Sequence, residues 1–153
     1  MTETRWLDER ESAAWRGYLA MYTQLAARLH REMQADSGLS LTDFEVLVRL
    51  TDQDEPRLRV GELAQALQWE KSRLSHHLAR MQRRGLVVRQ ECPEDARGAF
   101  IALTGKGRTA IEQAAPAHVE TVRDLVFDQL TEDQVDALAA IADCVLDRLN
   151  ETE

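Results

Sequence analysis

The residues of this chain best placed for chemistry lie in the segment KSRLSHHLARMQR, residues 71–83. At 100° per residue along a helix, Leu74, Leu78 and Met81 fall on one side. Ser72, His76, Ala79 and Arg83 fall on the other, with Arg73 and Arg80 flanking them. Serine, histidine and arginine are the side chains that hydrogen-bond base edges and phosphate oxygens, and an alanine among them permits close approach. The expected partner is therefore double-stranded DNA. Ser72, Arg73 and His76 are assigned to base reading, and Lys71, Ser75 and Arg80 to positions nearer the phosphates. A basic, merely solvated helix face has the same composition, so charge alone leaves the two readings even. Its distribution is more informative than the net value of −8: residues 70–108 carry +5, the residues before them −4 and those after them −9. A basic middle between acidic ends suits a polyanion met in one orientation.

A second constellation follows. The polar stretch from Cys92 to Gly98 separates the apolar runs Leu86–Val88 and Phe100–Leu103, a pattern that suits a β-hairpin with its tip near Asp95 and Arg97. An arginine on such a tip suits a narrow, A·T-rich minor groove, and a carboxylate two residues earlier suits holding the guanidinium in place.

Other chemistry finds little support. His76 and His77 project about 100° apart and do not share a helix face, and His30 and His118 are isolated, so no metal site is expected. Cys92 and Cys144 form neither a metal motif nor a disulfide framework. Cys92, near the hairpin, suits an oxidisable thiol and a redox-responsive regulator, and Cys144 suits packing. A fold-retaining protein-interaction module is the other alternative. The chain has no glycine-rich phosphate loop, nucleophile elbow or paired acid/base spacing, so it reads as a non-enzyme with no cofactor. No apolar run approaches the ~20 residues of a membrane span, and the N-terminus lacks a signal core, which implies a cytoplasmic protein with no membrane partner.

The elements that must position these groups follow from apolar spacing. Trp15, Leu19, Tyr22, Ala26, Leu29 and Met33 draw one stripe down a helix of roughly residues 8–35. Thr42 with Glu45 predicts a capping box opening a second helix to about Leu50. A polar loop to Pro56 precedes a short helix burying Leu63, Ala64 and Leu67, and a tight turn at Gln68–Glu70 leads into the segment above, which Gly85 stops. Thr104 is placed to cap a long helix to about residue 128. Thr131 with Gln134 forms a second capping box, opening a last helix striped by Val135, Leu138, Ile141, Ala142, Val145 and Leu149. The fold class is mainly α with one small β-hairpin wing: a winged helix-turn-helix joined to a helical dimerisation region. The whole of 1–153 reads as a single domain, with 37–103 as the DNA-binding lobe and 1–36 and 104–153 as the helical region through which a homodimer would form.

The stretch VGELAQALQWEKSRLSHHLARMQRRGLVVRQECPEDARGAFIALTGKGR resembles the MarR (multiple antibiotic resistance regulator) family, through ELAQAL, the recognition segment, the D-A-R of the wing and the closing L-T-G-K-G. The flanking helices match the family layout as well. The resemblance implies a transcriptional regulator, obligately dimeric through its first and last two helices, that binds pseudo-palindromic promoter sites. Many members are repressors released by aromatic or lipophilic effectors. It also implies a crevice where Trp15, Tyr18 and Tyr22 would line an effector pocket and Arg16 would pair an anionic group, although Trp15 and Tyr22 belong first to the core stripe. Peroxide-sensing members keep their reactive cysteine in the first helices, where this chain has none. Two positions depart from the pattern: Gly61, where a serine or threonine commonly caps the third helix, and Glu70, where a serine often precedes the recognition helix.

Overall fold

The computed structural model describes residues 3–91 and 98–151. They fall into two compact units, Met1–His118 and Val119–Glu153. Helix α1 spans Glu9–Ser37, α2 Leu41–Thr51, α3 Val60–Leu67, α4 Lys71–Arg83, α5 Gly105–Leu125 and α6 Glu132–Glu151. Three short strands, β1 (Arg57–Arg59), β2 (Val87–Gln90) and β3 (Phe100–Leu103), form one antiparallel sheet in the order β1-β3-β2. The winged helix-turn-helix expected from the sequence is present.

Local chemistry accounts for most of the boundaries. Asp8 caps α1, accepting from the Glu11 amide at 2.8 Å while Glu11 Oε2 accepts from the Asp8 amide at 3.0 Å. Gly38, at φ +70°, ends the helix in the left-handed conformation that glycine adopts without a Cβ penalty. The start of α2 corrects the expectation from Thr42 and Glu45: the cap is Ser40 and its reciprocal partner is Asp43, with both bonds at 2.9 Å. Both pairs satisfy the same local pattern, and burial of Asp43 decides between them. Thr131 and Gln134 do form their box, at 2.9 and 3.2 Å. α5 ends at Leu125, short of residue 128, and a 3₁₀ turn over Phe127–Gln129 follows it.

β1 is an element that the sequence reading missed. Its three residues alternate Arg-Leu-Arg, too short and too polar to stand out, yet Leu58 packs on the core while Arg57 pairs with Ala102 and Arg59 with Phe100. The core of this unit gathers Val46, Leu47 and Leu50 of α2, Leu63 of α3, Leu74 and Met81 of α4, Val87 and Ile101, all fully buried. Ala64 is buried with them, and Leu67 packs at the margin. At roughly 1.5–3 kcal/mol for each large side chain removed from water, this cluster is what fixes α4 against α2 and α3.

Thr104 and Gly107 explain the L-T-G-K-G motif. Thr104 Oγ1 accepts from the Gly107 amide at 2.9 Å and donates to Gly85 O at 2.6 Å, with Leu86 O 3.0 Å away. A Cβ on Gly107 would stand 2.0 Å from Leu86 O, so only glycine lets α5 start this close to the chain leaving α4.

In the aromatic part of α1 the stripe is uncovered in the single chain: Trp15 is 52% and Tyr22 63% exposed, and the core begins only at Met33. The unit Val119–Glu153 shows the same feature, with Leu138, Ile141, Val145 and Leu149 of α6 exposed. Cys144, expected to pack, is exposed too.

Candidate nucleic-acid interface

α4 is positioned from behind and at both ends. Leu74, Leu78 and Met81 are buried, as expected, which turns Ser72, Arg73, His76, Ala79, Arg80 and Arg83 outward. Ser75 is half-buried, and Lys71 is exposed at the first turn. At the C-terminal end Gly85, at φ +78°, closes a Schellman motif: its amide bonds to Gln82 O (2.9 Å) and the Leu86 amide to Met81 O (3.1 Å). The turn before α4 repeats the device with Gln68 at φ +55°, the Gln68 amide reaching Gln65 O and the Trp69 amide Ala64 O. A non-glycine residue there costs about 1–2 kcal/mol, so the tight α3–α4 turn is held against a local preference.

Of the two departures from the family pattern, one is relocated by the structure. α3 is preceded by Arg59, whose amide bonds to Glu62 Oε2 at 3.1 Å, so Gly61 is the second helical residue and does not cap. A Cβ on Gly61 would lie 3.3 Å from Lys71 Cε, and the missing side chain leaves room for the lysine stem. Glu70 does sit at the N-cap of α4, where it makes no side-chain cap bond.

Beneath the outward face lies a polar network that the sequence reading did not find. Asp43 is buried, its side chain 3% exposed. Its Oδ2 accepts from Arg84 Nη1 at 2.6 Å and from the Ser40 amide at 2.9 Å. Arg84 also donates to Gly38 O at 3.1 Å, tying the end of α4 to the end of α1. His77 Nε2 stands 2.9 Å from Asp43 Oδ1, at ion-pair distance though out of line for a straight hydrogen bond. Its Nδ1 faces Arg80 Nη2 at 3.2 Å. A guanidinium only donates, so Nδ1 accepts and the ring proton sits on Nε2, toward Asp43. Burial alone would raise the Asp43 pKa, but the close approach of the His77 ring, the bonds from Arg84 and the Ser40 amide, and the Arg84 charge outweigh it and hold the carboxyl well below the usual range. Arg80, expected near phosphates, is thus tied to His77. His77 lies three residues from Leu74, on the buried side of α4, and that was the signal that it needed a partner.

Three aromatic–cation contacts complete the surface. The Arg73 guanidinium stands 4.0 Å over the Trp69 ring, and Trp69 meets His77 edge to face at 5.7 Å. On the sheet, Arg57 and Arg59 lie 4.7 and 4.6 Å from the centre of Phe100, adding two cations beside the wing. The wing residues Asp95 and Arg97, and Cys92, lie outside the described residues. Trp15, Tyr18 and Tyr22 form a stacked ladder on α1, with centroids 5.6 and 6.4 Å apart, and Arg16 is exposed beside it.

Residues 37–98, which include α4 and the turn before it, match the profile of the MarR family. Among solved structures the chain is similar to AbsC, a MarR family transcriptional regulator from Streptomyces coelicolor, at 36% identity over 97% of this chain and 99% of that one, with a TM-score of 0.90. The chain belongs to the MarR family. Another MarR family regulator, Sco3205 from the same organism, crystallised in complex with DNA, is 40% identical over 95% of this chain and 92% of its own, with a TM-score of 0.90. The transcriptional repressor YetL of Bacillus subtilis is 29% identical over 116 residues, 76% of this chain and 69% of that protein. MarR proteins are DNA-binding regulators of transcription rather than enzymes. Among the described residues no helix is long and apolar enough to cross a membrane.

Proposed function

We propose that this MarR protein is a homodimeric, sequence-specific double-stranded DNA-binding repressor that inserts α4 into the major groove of a pseudo-palindromic promoter site. The observation that carries the reading is the outward face of α4, where Ser72, Arg73 and His76 stand clear of the core beside Lys71, Ser75 and Arg80. Ser72, Arg73 and His76 read base edges, the other three approach phosphates, and Asp95 and Arg97 carry the wing to the minor groove. The repressor role is supported by the likeness to YetL, and duplex binding by the likeness to Sco3205, whose structure holds DNA.

Association through residues 1–36 and 104–153, with 37–103 as the reading lobe, is supported by the apolar side chains uncovered on α1 and α6. Patches of this kind mark interaction sites. The ladder of Trp15, Tyr18 and Tyr22 with Arg16 is the candidate contact for an aromatic or lipophilic effector, and coupling of about 1–3 kcal/mol would weaken DNA binding about 5–150-fold. Work inside the cytoplasm fits this function.

Fluorescence anisotropy with labelled genomic duplexes at several salt concentrations tests the reading. Affinity should fall linearly on a log–log plot, with a slope of about −0.9 per phosphate neutralised. Absence of salt-dependent binding would favour a protein-interaction module that keeps the fold.

A further inference from the structure

We propose that Trp69 is a specificity-determining positioning residue: an aromatic platform in the helix-turn-helix turn that holds the Arg73 guanidinium ready to read a base. The inference rests on the reading above that Arg73 contacts a base edge. Three observations carry it.

The Trp69 ring is fixed from below. It packs half-buried on the core, its amide is bonded to Ala64 O at 2.9 Å across the left-handed Gln68, and it meets His77, itself anchored at Asp43. The Arg73 guanidinium stands 4.0 Å above that ring. Finally, among the described residues no carboxylate pairs with Arg73, so the aromatic ring is what restrains it.

The chemistry suits a base reader. A guanidinium that contacts a ring through its flat face keeps its N–H donors around its edge, where guanine O6 and N7 are met in a bidentate pair. Arginine loses much rotamer freedom when it binds, and a platform that orders it in the free protein removes part of that loss from the binding step. An aspartate or glutamate in the same place would orient the side chain by occupying the donors the base needs. A tryptophan orients it and leaves them open.

The test uses the full chain and a duplex recovered by selection from a randomised library, with anisotropy titrations at fixed salt on the wild type, Trp69→Leu, Arg73→Ala and the double variant. Trp69→Leu should weaken binding to the selected duplex about 3- to 10-fold and relax the base preference at the position that Arg73→Ala relaxes. In the Arg73→Ala background the same change should have no further effect on affinity, which a loss of folding or of general packing would not reproduce. Trp69→Phe, which keeps a smaller ring, should fall between the two and serves as the comparison if Trp69→Leu fails to fold.

If Arg73→Ala leaves the base preference intact, the base-reading assignment itself is wrong and the platform goes with it. If Arg73→Ala relaxes the preference but the Trp69 variants keep the wild-type motif, or weaken binding equally with and without Arg73, the platform is refuted while the base reading stands.

Discussion

Replacing Asp43 with asparagine keeps the volume and removes the charge from the network behind α4. The asparagine oxygen, placed where Oδ2 was, still accepts from Arg84 and the Ser40 amide, but the bonds lose their charge assistance. Arg84 is 44% exposed, so solvent screens that loss and it amounts to about 1 kcal/mol. The amide nitrogen then faces His77 Nε2, donor against donor. Moving the ring proton to Nδ1 only transfers the conflict to Arg80, 3.2 Å away. One unsatisfied buried donor costs about 1–3 kcal/mol, giving roughly 2–4 kcal/mol in all. For a chain of this size that lowers Tm by roughly 5–15 °C.

The Asp43→Asn variant also has a pH signature. The folded-state pKa of Asp43 is depressed below its ordinary value of 3.8, so its contribution is complete above the unfolded value and is lost as pH falls below it toward the folded one. Thermal melts followed by circular dichroism between neutral and acid pH should therefore show a lower Tm for Asp43→Asn at neutral pH and a shallower fall toward acid. Melting within about 1 °C of wild type, with a parallel acid limb, would refute the network's role.

Gly107→Ala should lower stability by about 1–3 kcal/mol or more in chemical denaturation, since its Cβ would meet Leu86 O, a backbone atom that moves only with the chain. His118 packs on Phe44, and burial lowers its pKa from 6.5, so its ring should titrate below that value by NMR. The linked stability should fall as pH drops from 6.5 toward the folded pKa, and His118→Gln should flatten that slope, whereas a midpoint at or above 6.5 would contradict it. Light scattering should give a mass twice that of one chain. Deleting residues 131–153 should cause aggregation or unfolding, and a well-folded, DNA-competent monomer would overturn the dimer argument.

What the sequence could reveal was what local pattern controls. The Leu74, Leu78 and Met81 stripe oriented α4, so the outward face of Ser72, Arg73 and His76 followed as its complement. Thr131 and Gln134 opened α6 as their spacing required. Three things depended on contacts between distant residues. Asp43 meets Arg84 across 41 positions, and that pairing chose Ser40 over Thr42 as the cap. β1 exists because β3 is beside it, its three residues having too little alternation to announce a strand. The Trp15 and Tyr22 stripe was legible as apolar, but a periodicity does not say which body covers it.

The claim that α4 reads DNA as one half of a twofold pair is tested most directly by selecting bound duplexes from a randomised library with the wild-type protein at fixed salt. The recovered sites should contain two inverted half-sites roughly 10 base pairs apart, centre to centre, matching recognition helices about 34–36 Å apart. Recovery of unenriched sequence, bound through phosphates alone, or of a single half-site without its inverted partner, would contradict the account.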